Sequence, residues 1–145
     1  MEILLDSYRR LVKNLFVHYP LNFPDDAEIR IEGLFSNKGK RWINYPLGVV
    51  NEFLKRGVMM TGMEMLYYGD VPNAAGLSSS ASIEMVTAVA LNSMYSAGFS
   101  TLDMVKMCQK AENEFVGMNC GIMDQFAVGF GKKDFAIFLN CDTLL

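Results

Sequence analysis

The chain has 145 residues, 51% apolar and 20% charged, with a net charge of −3. These values suit about one globular domain with a core of its own and exclude a disordered or fibrous chain. The acidic balance excludes the basic face that nucleic acid or an anionic membrane surface requires.

No run approaches the ~18 consecutive apolar residues of a membrane span, and the first residues lack the order of a signal peptide. Cys108, Cys120 and Cys141 are odd in number and form no CxxC pair. That fits packing thiols in a reducing cytoplasm better than a disulfide framework or a metal site. A soluble cytoplasmic protein is expected.

In chain order, Leu4, Tyr8, Leu11, Val12 and Leu15 recur at helical spacing and predict a helix over Met1 to Phe16. A turn at Pro24-Asp25-Asp26 precedes Ile29 and Ile31, which alternate with Arg30 and Glu32 like a half-buried strand. SNKGK reads as a loop. From Pro46 a helix carries Val49, Val50, Phe53 and Leu54 on one side and stops at Gly57. Met63, Met65 and Tyr67 share one face of the next strand candidate. IEMVTAVALNSMYSAG predicts a mostly apolar, buried helix ending at Gly98. Ser100 and Asp103 form a capping box for a third helix running to about Phe115. A short helix at Met123 to Val128 and a strand at Asp134 to Cys141 complete a mixed α and β chain.

The serine run in NAAGLSSSASIE, residues 73 to 84, sits at a strand–loop–helix junction. One serine could cap the helix, stabilising it by ~1 kcal/mol. Three serines after Gly76 suit a phosphate better, because a helix start offers unpaired N–H donors and a partial positive charge. Both readings stay open on the residues alone. GFGKKD fails as a phosphate loop of the usual kind, since Phe126 stands where a Gly is needed and Lys133 where Ser or Thr is. His18 is the only histidine and no G-x-S-x-G elbow occurs, which leaves no nucleophilic-serine chemistry.

In AENEFVGMNCGIMDQF, Glu112 lies near a helix end and Asp124 starts the next helix after a turn bracketed by Gly117 and Gly121. An acid there is commonly a cap. Flanked by apolar Ile122 and Met123, it could instead be a base, with Glu112 holding a divalent cation together with a serine hydroxyl.

DVPNAAGLSSSASIE and AENEFVGMNCGIMDQ together resemble galactokinases of the GHMP small-molecule kinase superfamily, and YPLNFP and WINYPLGVVNEFLKRG extend the likeness over about Tyr19 to Leu145. The resemblance implies an α+β fold, part of the GHMP-kinase N-terminal domain (ribosomal protein S5 domain 2-like), with helices packed on a mixed sheet. It implies transfer of the γ-phosphoryl of ATP to the 1-hydroxyl of α-D-galactose. Ala74, Ala75, Gly76, Leu77, Ser78, Ser79 and Ser80 then match the nucleotide phosphate loop, with Trp42 near the nucleotide. Ser80 and Glu112 match the Mg²⁺ ligands. Asp124 matches the catalytic acid beside the sugar hydroxyl, and Gly121 a backbone contact with galactose.

The family's GEHTDY-like sugar-binding stretch does not occur in the sequence, Pro20 stands where many relatives have Ser, and the length is well short of a typical galactokinase. Residues 1–145 are therefore expected to be a single partial domain, inactive alone, that lacks the C-terminal domain and self-associates through exposed apolar surface. A galactose- and ATP-binding sensor of the same fold and a non-functional truncated product are the alternative expectations.

Overall fold

The computed structural model describes residues 14–18, 27–31, 33–39, 42–69, 78–141 and 143, with side chains from 28 onward. Three strands form one sheet in the order β2-β1-β3. β1 (Asn14–His18) runs antiparallel to β2 (Ala27–Arg30), with Leu15 opposite Ile29, and parallel to β3 (Met63–Leu66), with Leu15 opposite Met63. The sheet is therefore mixed. The end of the predicted Met1 to Phe16 helix is corrected here, because Asn14 to Phe16 lie in β1, where Leu15 and Phe16 pair on both sides. Its residues 1–13 lie outside the described residues, as do Asp70, Val71 and Pro72.

β3 buries Met63 and Met65, exposes Glu64 and Leu66, and continues to buried Tyr67, as its alternation predicts. Helix α1 (Asn44–Lys55) begins two residues ahead of Pro46, which fits because a proline in the first helical turn costs no hydrogen bond. It ends as expected at Gly57, which has φ +80°. Val58 N–H donates to the Phe53 carbonyl and Gly57 N–H to that of Leu54, so the last carbonyls are satisfied.

Helix α2 (Ser79–Met94) buries Ala81, Met85, Ala88 and Leu91 but leaves Val86, Val89 and Met94 exposed. The buried helix of the sequence reading is thus buried along one stripe only. Its Thr87 hydroxyl meets the Tyr67 hydroxyl at 2.6 Å and ties α2 to the end of β3. Helix α3 (Thr101–Lys110) starts at the expected capping box: Ser100 Oγ accepts from Asp103 N–H, and Asp103 Oδ2 accepts from Ser100 N–H at 3.0 Å.

The helix then continues to Val116 with a change of winding, as a π-helical turn over Ala111–Val116. Such turns occur mostly as single bulges and often at functional sites. Helix α4 (Met123–Phe130) follows. Residues 134–141 form no strand: Asp134 sits in a turn at φ +67°, and Phe135 and Phe138 are exposed. A strand needs a partner edge, and among the described residues none lies beside this segment.

The core is built from α1, β3, α2 and α3 around Leu47, Val50, Phe53, Leu91, Val105 and Met107. Two glycines set how closely the helices approach. A methyl on Gly48 in α1 would stand 3.1 Å from the Ala111 Cβ, and one on Gly129 in α4 would stand 2.8 Å from a Val105 methyl. Among the described residues no helix is long and apolar enough to cross a membrane.

Candidate active site

Of the serine loop, Ala74, Ala75, Gly76 and Leu77 lie outside the described residues. Ser78, Ser79 and Ser80 are half-buried at the start of α2. Ser78 is the residue before the first helical turn, yet its side chain makes no capping hydrogen bond. Its φ of 57° lies in the left-handed region, which a serine adopts only at a cost. Its backbone carbonyl accepts from both the N–H and the hydroxyl of Ser82. The helix start therefore has no side-chain cap, and the left-handed residue followed by helical ones turns successive N–H groups to a common side, a shape suited to an anion. Beside it a cavity of about 200 Å³ is lined by Tyr67, Tyr68, Gly69, Ser79, Ser82, Ile83 and Val86. Trp42 is a core residue, 8% exposed, with its indole edge-on to Tyr67 at 6.0 Å.

Glu112 stands in the first turn of the π-helical segment and is only 6% exposed. Its Oε2 accepts from the Gln125 amide at 2.5 Å and from the Cys120 thiol at 3.5 Å. The same amide reaches Glu84 Oε2 at 3.2 Å. Glu84 and Gln125 are fully buried. Burial, followed by the charge of Glu112, pushes the Glu84 carboxyl up to about 9, so at neutral pH it holds its proton. Burial and then Glu112 likewise push the Cys120 thiol up to about 11. Ser80 precedes Glu84 by four residues and shares its face of α2.

The turn between Gly117 and Gly121 is held by Asn113, whose Oδ1 accepts from Cys120 N–H at 2.8 Å while its Nδ2 donates to the Cys120 carbonyl at 3.2 Å. Gly121 is exposed with open space around its Cα. Asp124 is exposed at the second position of α4, and that helix has no side-chain cap. The cap reading of Asp124 thus finds no capping hydrogen bond.

The structure brings Glu112 and the helix carrying Asp124 together, with Ser80 one turn along α2 from Glu84. Trp42 packs edge-on against Tyr67, which lines the cavity beside Ser79. Gln125 and Glu84 are participants that sequence reasoning missed. Their only signal is polarity: an acid inside the apolar run SIEMVTAVAL, and an amide between Asp124 and Phe126.

The donors suit a hard divalent cation, being a hydroxyl and a carboxylate. No cluster of three or more His, Cys, Asp or Glu side chains that could hold a metal occurs among the described residues.

Residues 44–132 match the model of the GHMP kinases N terminal domain. The chain is 50% identical over 132 residues to the galactokinase of Fusobacterium nucleatum, covering 89% of this chain and 34% of that protein. To the galactokinase of Clostridium beijerinckii it is 47% identical over 135 residues, 91% of this chain and 34% of that protein. The crystal structure of Lactococcus lactis galactokinase complexed with galactose matches with a TM-score of 0.87 and 37% identity, over 94% of this chain and 36% of that one. The chain spans about a third of the length of the curated relatives it matches. The family model covers more than half of the sequence and takes in the serine-led helix, the π-helical turn and α4, and the chain accordingly belongs to the GHMP kinases through their N-terminal domain.

Proposed function

We propose that the chain is the ATP-binding part of a galactokinase, which transfers the γ-phosphoryl of ATP to the 1-hydroxyl of α-D-galactose and releases ADP and α-D-galactose 1-phosphate. The observation that carries this reading is the hydrogen bond from Gln125 to buried Glu112, which ties a candidate metal ligand to the residue next to exposed Asp124. The similarity to curated galactokinases narrows the acceptor to galactose.

In this reading the uncapped start of α2, with Ser78, Ser79, Ser80 and the preceding Ala74 to Leu77, binds the nucleotide phosphates through backbone N–H groups. Trp42 supports the nucleotide side through Tyr67. Ser80 and Glu112 would hold Mg²⁺. When bound, such a cation would supply charge neutralisation for the transferring phosphoryl group. Asp124 accepts the proton of the galactose 1-hydroxyl as that oxygen bonds to the γ-phosphorus and the bond to the ADP oxygen breaks. Gly121, with no side chain in the way, lets the backbone approach the sugar. Free thiols, with Cys108 in the core, suit a cytoplasmic enzyme. Exposed Phe135 and Phe138 are the surface through which the isolated chain would self-associate.

Asp124→Asn in the full-length enzyme tests the central role. It keeps shape and capping ability but removes the base, and general-base contributions are ~10² to 10⁴ in rate. The expected result is a fall in kcat of that order with little change in KM for ATP. Near-normal turnover ends the assignment, since Asn and Asp cap a helix about equally well.

A further inference from the structure

We propose that Gln125 is a positioning residue for the candidate metal ligand Glu112, an inference that rests on the kinase reading above. Its amide lies between two buried carboxyl groups from different helices, with Glu112 Oε2 at 2.5 Å and Glu84 Oε2 at 3.2 Å. Nothing nearer than 13 residues in sequence is joined by these two bonds. A side-chain amide has two donor hydrogens, one for each carboxyl. Its own carbonyl, Gln125 Oε1, is buried with no hydrogen-bond partner, as is Glu84 Oε1.

An unpaired buried acceptor is unfavourable, and the reversed amide would set two acceptor oxygens 2.5 Å apart at Glu112 Oε2, which is worse. The amide orientation is therefore fixed by its donors. Gln125 gives Glu112 a strong hydrogen bond without giving it a positive charge. A Lys or Arg in this place would satisfy the carboxylate and also neutralise it, in competition with a divalent cation. Among the described residues the ion pairs formed by Lys55, Arg56 and Lys110 go to Glu52 and Glu114, and none goes to Glu112 or Glu84. Because Gln125 follows Asp124 directly, the same bond also fixes the helix start that carries the proposed base. Hydrogen-bond partners behind a metal ligand are typically worth ~10- to 100-fold in metal affinity or activity.

The test uses the full-length enzyme with Gln125→Met, which keeps length and volume and removes the amide. Mn²⁺ binding to the ADP-saturated protein, followed by electron paramagnetic resonance, should weaken by about 10- to 100-fold. ADP affinity in excess chelator should stay at the wild-type value. In turnover, kcat should fall and the Mg²⁺ requirement rise while KM for galactose holds. A residue that merely packs would move ADP affinity with and without metal alike, and that result overturns the proposal. Gln125→Asn keeps the amide but withdraws it by one methylene, and should shift Mn²⁺ affinity in the same direction. It carries the test if the Met variant does not fold. Wild-type Mn²⁺ affinity in a folded variant, with kcat of Asp124→Asn still lowered by ~10²-fold or more, overturns the positioning role and leaves the kinase reading standing. A wild-type enzyme that takes no Mn²⁺ and phosphorylates no galactose overturns both.

Discussion

Glu52 and Glu112 are both helical glutamates withdrawn from water, at 1% and 6% exposure, and they keep opposite company. Glu52 is surrounded by cations: Lys55 Nζ lies 2.7 Å from its Oε1, Arg56 Nη1 2.6 Å from its Oε2, and Lys110 Nζ 4.0 Å away. Burial alone would raise its carboxyl, but the hydrogen bonds from Lys55 and Arg56 outweigh that and hold it below the usual range. Glu112 instead has an amide, a thiol and a second, protonated carboxyl. The first arrangement is complete in itself. The second has hydrogen-bond donors but, among the described residues, no cation beside it, which leaves room for one brought by a ligand.

The largest difference should appear in turnover. Glu112→Gln in the full-length enzyme should lower kcat by at least about 10²-fold, the usual loss when a preorganised electrostatic contact is removed. Glu52→Gln should leave kcat per folded molecule at the wild-type level. If Glu52→Gln proves as damaging to kcat as Glu112→Gln, the functional contrast between the two glutamates disappears.

Stability should reverse that order. Glu52→Gln breaks ion pairs whose cationic partners are partly exposed, so a loss of about 1 to 3 kcal/mol in urea denaturation is expected. Glu112→Gln removes half of an unfavourable carboxyl pair and should cost less than that. Equal losses would mean that the two environments are energetically alike.

The smallest and most diagnostic effect is on pH dependence. Glu84 titrates near 4.5 when unfolded and near 9 when folded. Below 4.5 both states hold the proton, and the group makes no difference. As pH rises through this window the unfolded chain ionises while the folded one keeps its proton, so Glu84 progressively lowers stability. Glu52 acts in the other direction: its lowered carboxyl stabilises above its ordinary value of 4.5, and that contribution is lost as acid protonates it. Melting temperatures in excess chelator should therefore decline less between pH 5 and 9 in Glu84→Gln than in wild type. An unchanged slope would show that Glu84 is ionised at neutral pH.

What the sequence made legible was local. Ser100 and Asp103 announce their helix because both halves of the capping box lie within three residues. Gly57 announces its stop because one backbone conformation demands it. The wrong expectations were non-local. Leu15 and Phe16 fit a helical spacing, but partners at Ile29 and Met63 make them a strand. FAIFL has strand-forming residues but pairs with no strand among the described ones. The π winding of AENEFV has no mark in its own residues, and its contact with Gly48 lies more than sixty positions away.

The site divides in the same way. The resemblance picked out Ser80, Glu112 and Asp124, while the bracket of Glu84 and Gln125 needed coordinates, because its members come together from 41 positions apart.

Gly48 and Gly129 have a consequence for how this domain can diverge. A glycine at a helix crossing can change only by growing, and here even the first carbon meets an occupied position. Exposed loop positions such as Gly121 can change in size and polarity, since open space lies around them. The crossings beneath Glu112 and Asp124 have no such freedom. Divergence of such a domain would therefore be expected to rewrite the loops first and to leave these two backbone contacts, and with them the spacing of Glu112 and Asp124, as inherited.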